Sequence, residues 1–548
     1  MPAQTFAVGS WTPLANFPSE GIGHMLLLPD GTVMAQGGFG IGTNWFRLTP
    51  DIHGSYVNGT WSSLAPMHDT RRYYSSDVLQ AGRVFVAGGE YGTGFTNAEI
   101  FDPVANTWTP ITVPTNMITE NNNISTNAGS FGAHFSGFSD SYSVVLNNGK
   151  VLITPVYPYN PGATILFDPV SNQLSQGPVL PYGNIWADKQ SAVKLPDDSI
   201  LTYDFFQRGE RFIPSLNAWI GDSSLPIQLF SASQEVGAGF LLSDGRVFFL
   251  GGVGNTIYYT PTGNTNPGSW TVGPNIPNGL VAQDAPAAMM ANGNILCAST
   301  VSANHSTNYF YEFNPFSDLF IPTSGPNSPT TDTNYVISDA TSMPDLPDGT
   351  VLYSDTSGQL YDYNPGSSQL AAGQPAISSI VYNPDSSLHL IGTLFNGISV
   401  GAAFGDDNQM DSNFSLVRFT DGSGNVYYGR TYNWSSTGVQ TGTRLVSTEC
   451  VVPANILAGP GTYTVQVVAN GISSTPQAFP GPIWVDFTYG GSPMLGTYAN
   501  PYSTLAQATN AVPAGGYINL KPRLSHETMA ISKPMVISAV GGTAIIGQ

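Results

Sequence analysis

The sequence predicts an all-β chain in three parts: a seven-bladed propeller, an immunoglobulin-like β-sandwich, and a short β-helix-like module at the C-terminal end. Three observations predict it. Charged residues make up only 9% of the 548 positions, whereas Gly (61) and Pro (42) are abundant. That balance suits many short strands joined by turns and starves long surface helices of Glu, Lys and Arg. A unit of apolar strand, tight turn and apolar strand recurs at near-regular spacing through the first two thirds of the chain. Beyond that region the repeat stops and plain apolar/polar alternation replaces it.

The repeating unit is read in HMLLLPDGTVMAQGG, YSSDVLQAGRVFVAGG, YSVVLNNGKVLITP, SAVKLPDDSILTYD, GFLLSDGRVFFLGG, AAMMANGNILCAST and SMPDLPDGTVLYSD. Its turns fall at Gly31, Gly82, Gly149, Asp198, Gly245, Gly293 and Gly349, giving intervals of 51, 67, 49, 47, 48 and 56 residues. A third and a fourth strand follow most units, best seen in AEIFDPVANTWTP. Four strands, a period near fifty and a Gly-Gly pair mark kelch-type blades, so residues 1–375 are predicted to form a seven-bladed kelch-type propeller. A lone blade cannot bury both faces of its sheet, and stacking around an axis solves this. The N-terminal SWTPLANFP resembles a fourth strand without its own blade and is expected to close the ring beside SSQLAAGQP. The widest interval holds the polar insertion 111–140, expected to lie over one face of the disc.

Residues 376–489 contain about seven short alternating strands and read as a sandwich. Residues 490–548 carry a short helical stretch and then strands separated by single turns, like the first coil of a parallel β-helix of the pectate-lyase type. A role in self-association is one reading of this module.

The net charge of −20 repels polyanions, which excludes nucleic acid and anionic membrane surfaces as partners. No run approaches the roughly 20 apolar residues of a membrane span. Few lysines, many Asn, Ser and Thr, and an acidic pI point to a secreted or cell-surface protein, although no signal peptide is read at the start. Cys297 and Cys450 fall in different predicted domains and are expected to be two buried free thiols.

Seven such blades followed by a sandwich resemble the galactose oxidase and glyoxal oxidase family over residues 20–488. The resemblance implies a copper-radical oxidase whose metal is held by a cysteine-linked tyrosine, a second tyrosine and two histidines, with an aromatic stacked over the linked tyrosine. Tyr73, in TRRYYSSD, matches the linked tyrosine, and Tyr91, just after Gly88-Gly89, matches the stacking aromatic. The other positions depart from the pattern. Gly23 stands at the cysteine, Asp339-Ala340 at the adjacent tyrosine and histidine, and the hairpin loop TDGSGNVYYGR, where the sandwich histidine is implied, has none. Copper needs several N and O donors around an open position, so copper-radical oxidation is not expected here.

Counting back from each turn places Gly23, Tyr73, Asp140, Lys189, Glu235, Asp284 and Asp339 around one mouth of the channel, with Asp188 beside Lys189. Three readings of these acids stand. They cap loops, they bind a hard cation such as Ca²⁺ through Asp284, Asp339 and Glu235, or they line a substrate pocket as general acid and base. Tyr73, Tyr74 and Tyr91 are either packing residues or a platform for stacking neutral sugar rings. Asn121, Asn122, Asn123 and His134 of the insertion are candidate hydrogen-bonding groups. The histidines are scattered without metal-binding spacing. Asp406, Asp407 and Asp411 read as an exposed loop. The preferred function is a non-oxidising binding protein for carbohydrate or a protein partner on a propeller face. The alternatives are a diverged oxidase using Tyr73, a glycan-cleaving enzyme using the axial carboxylates, and a structural or adhesive subunit.

Overall fold

The computed structural model describes the chain except for residues 1–8, 39–40, 90, 95, 118, 121–134, 137–140, 156–159, 183–190, 233–234, 303–306, 327–330, 333–340, 356–357, 384, 405–406 and 411–413. Seven antiparallel sheets follow one another in chain order. Strands beginning at Met25, Ser75, Ser141, Val193, Gly239 and Ala287 are the innermost strands of the first six, and each is followed outward by three more. The seventh is Val351–Ser354, Leu360–Asn364 and Ser10–Pro13. Its innermost strand is reduced to two bridges, Ser342 with Ser354 and Asp345 with Val351. The all-β, seven-bladed kelch-type propeller read from the repeats is the fold of the chain.

Ring closure differs from expectation in its partner. Ser10–Pro13 pairs antiparallel with Leu360–Asn364, not with SSQLAAGQP. Trp11 explains the choice. Its indole sits against the rings of Phe310, Tyr353 and Tyr363 at 5.0, 5.6 and 4.7 Å and its N–H donates to the Ser324 carbonyl (2.6 Å). Blades stack through similar apolar contacts, such as Phe85 on Phe167 and Phe248 on Phe313, each at 4.2 Å and nearly parallel. Near the axis, polar bonds join neighbouring inner strands. Ser75 donates to the Ser141 carbonyl (2.9 Å), Tyr142 to the Ala192 carbonyl (2.9 Å), and Ser354 to the Ile22 carbonyl. Cys297 and Cys450 are buried and free.

The sandwich docks on the face that carries the inner hairpin turns. Gly31 adopts φ +74 there, and a Cβ would lie 2.6 Å from the Tyr428 ring, so only glycine accepts this approach. Arg444 pairs with Asp198 (3.1 Å), and Ser436 donates to Asn147 (2.8 Å). From this face the hairpin Gly401–Phe404 and Asp407–Met410 rises into the channel, where it packs against the inner strands of several blades. Asp407–Met410 runs parallel to Met25–Leu27, with Met410 level with Leu26. The expectation of an exposed loop is corrected at Asp407, which opens a strand of this hairpin, while Asp406 and Asp411 lie outside the described residues.

In the C-terminal part, Ile483–Val485, Gly516–Leu520 and Met535–Ala539 form a parallel ladder. Ile483, Ile518 and Ile537 stack in one column, the pattern of β-helix coils. A capping box between Thr504 and Gln507 starts the helix Leu505–Ala511 over this ladder.

Candidate functional site

The mouth opposite the sandwich gathers the segments that enter the innermost strands. At blade two, a two-residue ladder pairs Arg71–Arg72 with Tyr91–Gly92, Arg72 opposite Tyr91. Tyr73 follows at φ +53, a left-handed conformation that a tyrosine rarely adopts, and this turns its ring toward Tyr91. The two rings meet edge to face with centroids 5.8 Å apart. The Arg72 guanidinium lies over the Tyr73 ring at 4.4 Å.

Behind them a buried network holds the ladder. Arg71, fully buried, donates from Nη1 to the carbonyls of Gly88 (2.7 Å), Gly94 (2.7 Å) and Asn97 (2.8 Å) and from Nη2 to Glu99 (3.1 Å). Glu99 also accepts from the His68 amide (3.0 Å) and bonds the His68 ring (2.6 Å). Tyr74 donates to Gln36 Oε1 (2.8 Å), and Gln36 Nε2 donates to the Arg71 carbonyl (2.9 Å). His24 of blade one bonds Ser76 through Nε2 (2.7 Å) and packs on Tyr74, and burial pushes its imidazole down to about 3. That ring is a neutral wall element at ordinary pH.

Across the mouth, Glu235 and Asp284 stand on neighbouring blades, joined where the Asp284 amide donates to the Val236 carbonyl (3.1 Å). Asp284 is buried and at φ +43. The parallel register carries Asp407 to the level of Gly23, three positions back from Met410 and Leu26 respectively. Of the predicted site residues, Tyr73 and Tyr91 come together on one side and Glu235 and Asp284 on the other. Asp140, Asp188, Lys189, Asp339, His134 and Asn121 to Asn123 lie outside the described residues.

The hairpin of the sandwich that reaches the channel is residues 401–410, not the loop after Leu416-Val417-Arg418-Phe419. That loop rests on the first blade's rim instead, with Val426 donating to the Ile52 carbonyl (2.7 Å). The sequence of residues 401–410, GAAFGDDNQM, contains no histidine. Gly23 offers no sulfur, and His24 is committed to Ser76. Among the described residues, no group of three or more His, Cys, Asp or Glu side chains is placed to hold a metal ion. The described donors do not form a copper cage, and no reaction step is derived through one. Arg72 and the channel hairpin escaped the sequence reading. Alternation through Arg71-Arg72-Tyr73 was the available signal for the first.

The kelch motif matches residues 71–112, the blade that carries Arg71, Tyr73, Tyr91 and Glu99. Among solved structures, the chain is similar to a copper-bound fungal alcohol oxidase of the AA5 family, with TM-score 0.48 and 13% identity over 86% of this chain and 99% of that one. It is also similar to virginiamycin B lyase from Staphylococcus aureus, with TM-score 0.41 and 11% identity over 65% of this chain and 98% of that one. No curated protein sequence matches it.

Proposed function

We propose that this is a non-oxidising, secreted or cell-surface protein that binds carbohydrate at the propeller mouth. The observation that carries the reading is the Tyr73 and Tyr91 pair, two rings held edge to face at the mouth. Sugar rings present apolar faces to aromatics and hydroxyls to carboxylates, and a fixed tyrosine costs little ordering on binding. Copper plays no part in this reading. Where an ion joins the mouth, calcium suits the carboxylate oxygens of Glu235 and Asp284.

Glycan-array screening of the full chain, followed by titration calorimetry, tests the proposal. Tyr91→Ala is expected to weaken the best glycan by about 1 kcal/mol. Stoichiometric copper uptake with oxygen consumption on alcohols or aldehydes would overturn the non-oxidising assignment, and an array without hits would remove the carbohydrate assignment. A second reading, self-association through the C-terminal module, is favoured by the apolar side chains exposed there, Leu524, Met529, Ile531, Val536, Ile545 and Ile546.

A further inference from the structure

We infer that the Arg72, Tyr73 and Tyr91 corner is a subsite for a carboxylated sugar, a uronate unit of an acidic glycan. This rests on the carbohydrate reading above and names the class of sugar. Arg71 and Arg72 are adjacent yet differently employed. Arg71 turns into the blade, where three carbonyls and Glu99 use its donors. Arg72 turns to the mouth, where the face of its guanidinium is taken by Tyr73 at 4.4 Å. Its edge is not taken: Nη2 is buried and has no hydrogen-bond partner, and no ion pair among the described residues includes Arg72.

A guanidinium keeps its charge under all ordinary conditions, so a shielded donor edge cannot be relieved by losing a proton. Leaving it unmade is costly, and a ligand carboxylate meets it with two parallel bonds. Arg72 is partly exposed as a residue, and the Tyr73 ring it covers meets Tyr91 at the mouth. The surroundings select the kind of acid. A chain of net charge −20, with Glu235 and Asp284 on neighbouring blades across the mouth, repels a densely anionic ligand. A uronate escapes this because one carboxylate goes to Arg72 while the neutral ring lies on tyrosine and its hydroxyls donate to the far carboxylates. An acidic peptide has no such division.

The test uses the full chain with two probes, a galactose trimer carrying one galacturonic acid unit and the same trimer with that carboxylate reduced to an alcohol, in titration calorimetry at low and moderate salt. The acid trimer is expected to bind at least tenfold more tightly than the reduced one. Arg72→Gln is expected to lower its affinity roughly 10–100-fold and to leave the reduced trimer unchanged, while Arg72→Lys recovers only part, since a point charge cannot reproduce the fork. Equal binding of the two trimers by the unaltered chain overturns the uronate assignment and leaves neutral-glycan binding standing. So does an Asp/Glu-rich peptide that binds more tightly than the acid trimer and depends on Arg72. Failure of every glycan defeats the carbohydrate reading itself. The comparison of trimers on the unaltered chain decides the matter even if a variant fails to fold.

Discussion

Asp77 on the second blade's inner strand is fully buried, accepts from Ser143 (2.7 Å), and has its carboxyl pushed up to about 7 by burial. Burial likewise raises Glu210 to about 7. Asp362 is raised by burial and by Asp348, with which it shares the Thr350 hydroxyl at 2.7 Å to each. For all three, the folded chain holds the proton more tightly than the unfolded chain. Their stabilisation is therefore full below the usual carboxyl range and is lost as the pH climbs toward 7. His24 works in the other sense. It is held near 3 against an ordinary 6.5, so it costs stability as the pH falls below 6.5. Above 6.5 the three carboxyls still change, and the buried Lys194, pushed down to about 8 by burial, begins to oppose them only near pH 8; between 4 and 6.5 three carboxyls oppose one imidazole. Thermal unfolding followed by circular dichroism should give a higher Tm at pH 5.5 than at pH 8, and Asp77→Asn should flatten that slope. A Tm that rises from pH 5.5 to 8 sinks the argument. At this scale the sequence revealed identities and missed environments. Tyr91 was legible from its place just after Gly88-Gly89, and Tyr73 from its count back from the turn at Gly82. The burial of Asp77 depends on Ser143 of the next blade, and nothing in a single repeat records its neighbour.

The strand Ser10–Pro13 shows what a short element can carry. It supplies the outer strand of the last blade, and through Trp11 it bridges the sixth and seventh. Glu312 ties the same seam, accepting from the Tyr363 hydroxyl (2.5 Å), the Gly9 amide (3.2 Å) and Asn294 (3.1 Å). Trp11→Ala is expected to cost about 3–5 kcal/mol, read as a lower denaturant midpoint, and to raise protease sensitivity first at the N-terminal segment. A loss under 1 kcal/mol would show that ring closure does not depend on this side chain. That the first strand returns to the last blade was readable from a tryptophan-bearing fragment with no hairpin of its own. Which strand receives it was not, because SSQLAAGQP and LYDYN are both plausible partners until the ring is built. The hairpin Gly401–Phe404 and Asp407–Met410 failed for a related reason. Its glycine, alanines and acids read as a loop, and only the surrounding blades make strands of it.

On the whole molecule the distribution of exposed apolar side chains is uneven. Six large ones lie between Leu524 and Ile546. Val536 lies on Met535–Ala539, an edge strand of its sheet among the described residues, and Leu524, Ile545 and Ile546 lie on the separate parallel pair Leu524–Ser525 and Ile545–Ile546. A parallel edge with apolar side chains is a pairing surface. Sedimentation velocity should therefore show a concentration-dependent dimer at micromolar levels, lost in the double variant Val536→Lys, Ile546→Lys. A monomer at every concentration, or a dimer indifferent to those changes, would remove the C-terminal module from assembly.

The plug of the channel is encoded after the wheel it fills. A nascent chain that has emitted every blade, through Asn364, still has dozens of codons to read before Gly401–Phe404 and Asp407–Met410 arrive to occupy the hub. Biogenesis thus has a built-in waiting period, during which the translation machinery handles a rim without its axle, and the finished mouth exists only once late-made residues have come home to early-made ones.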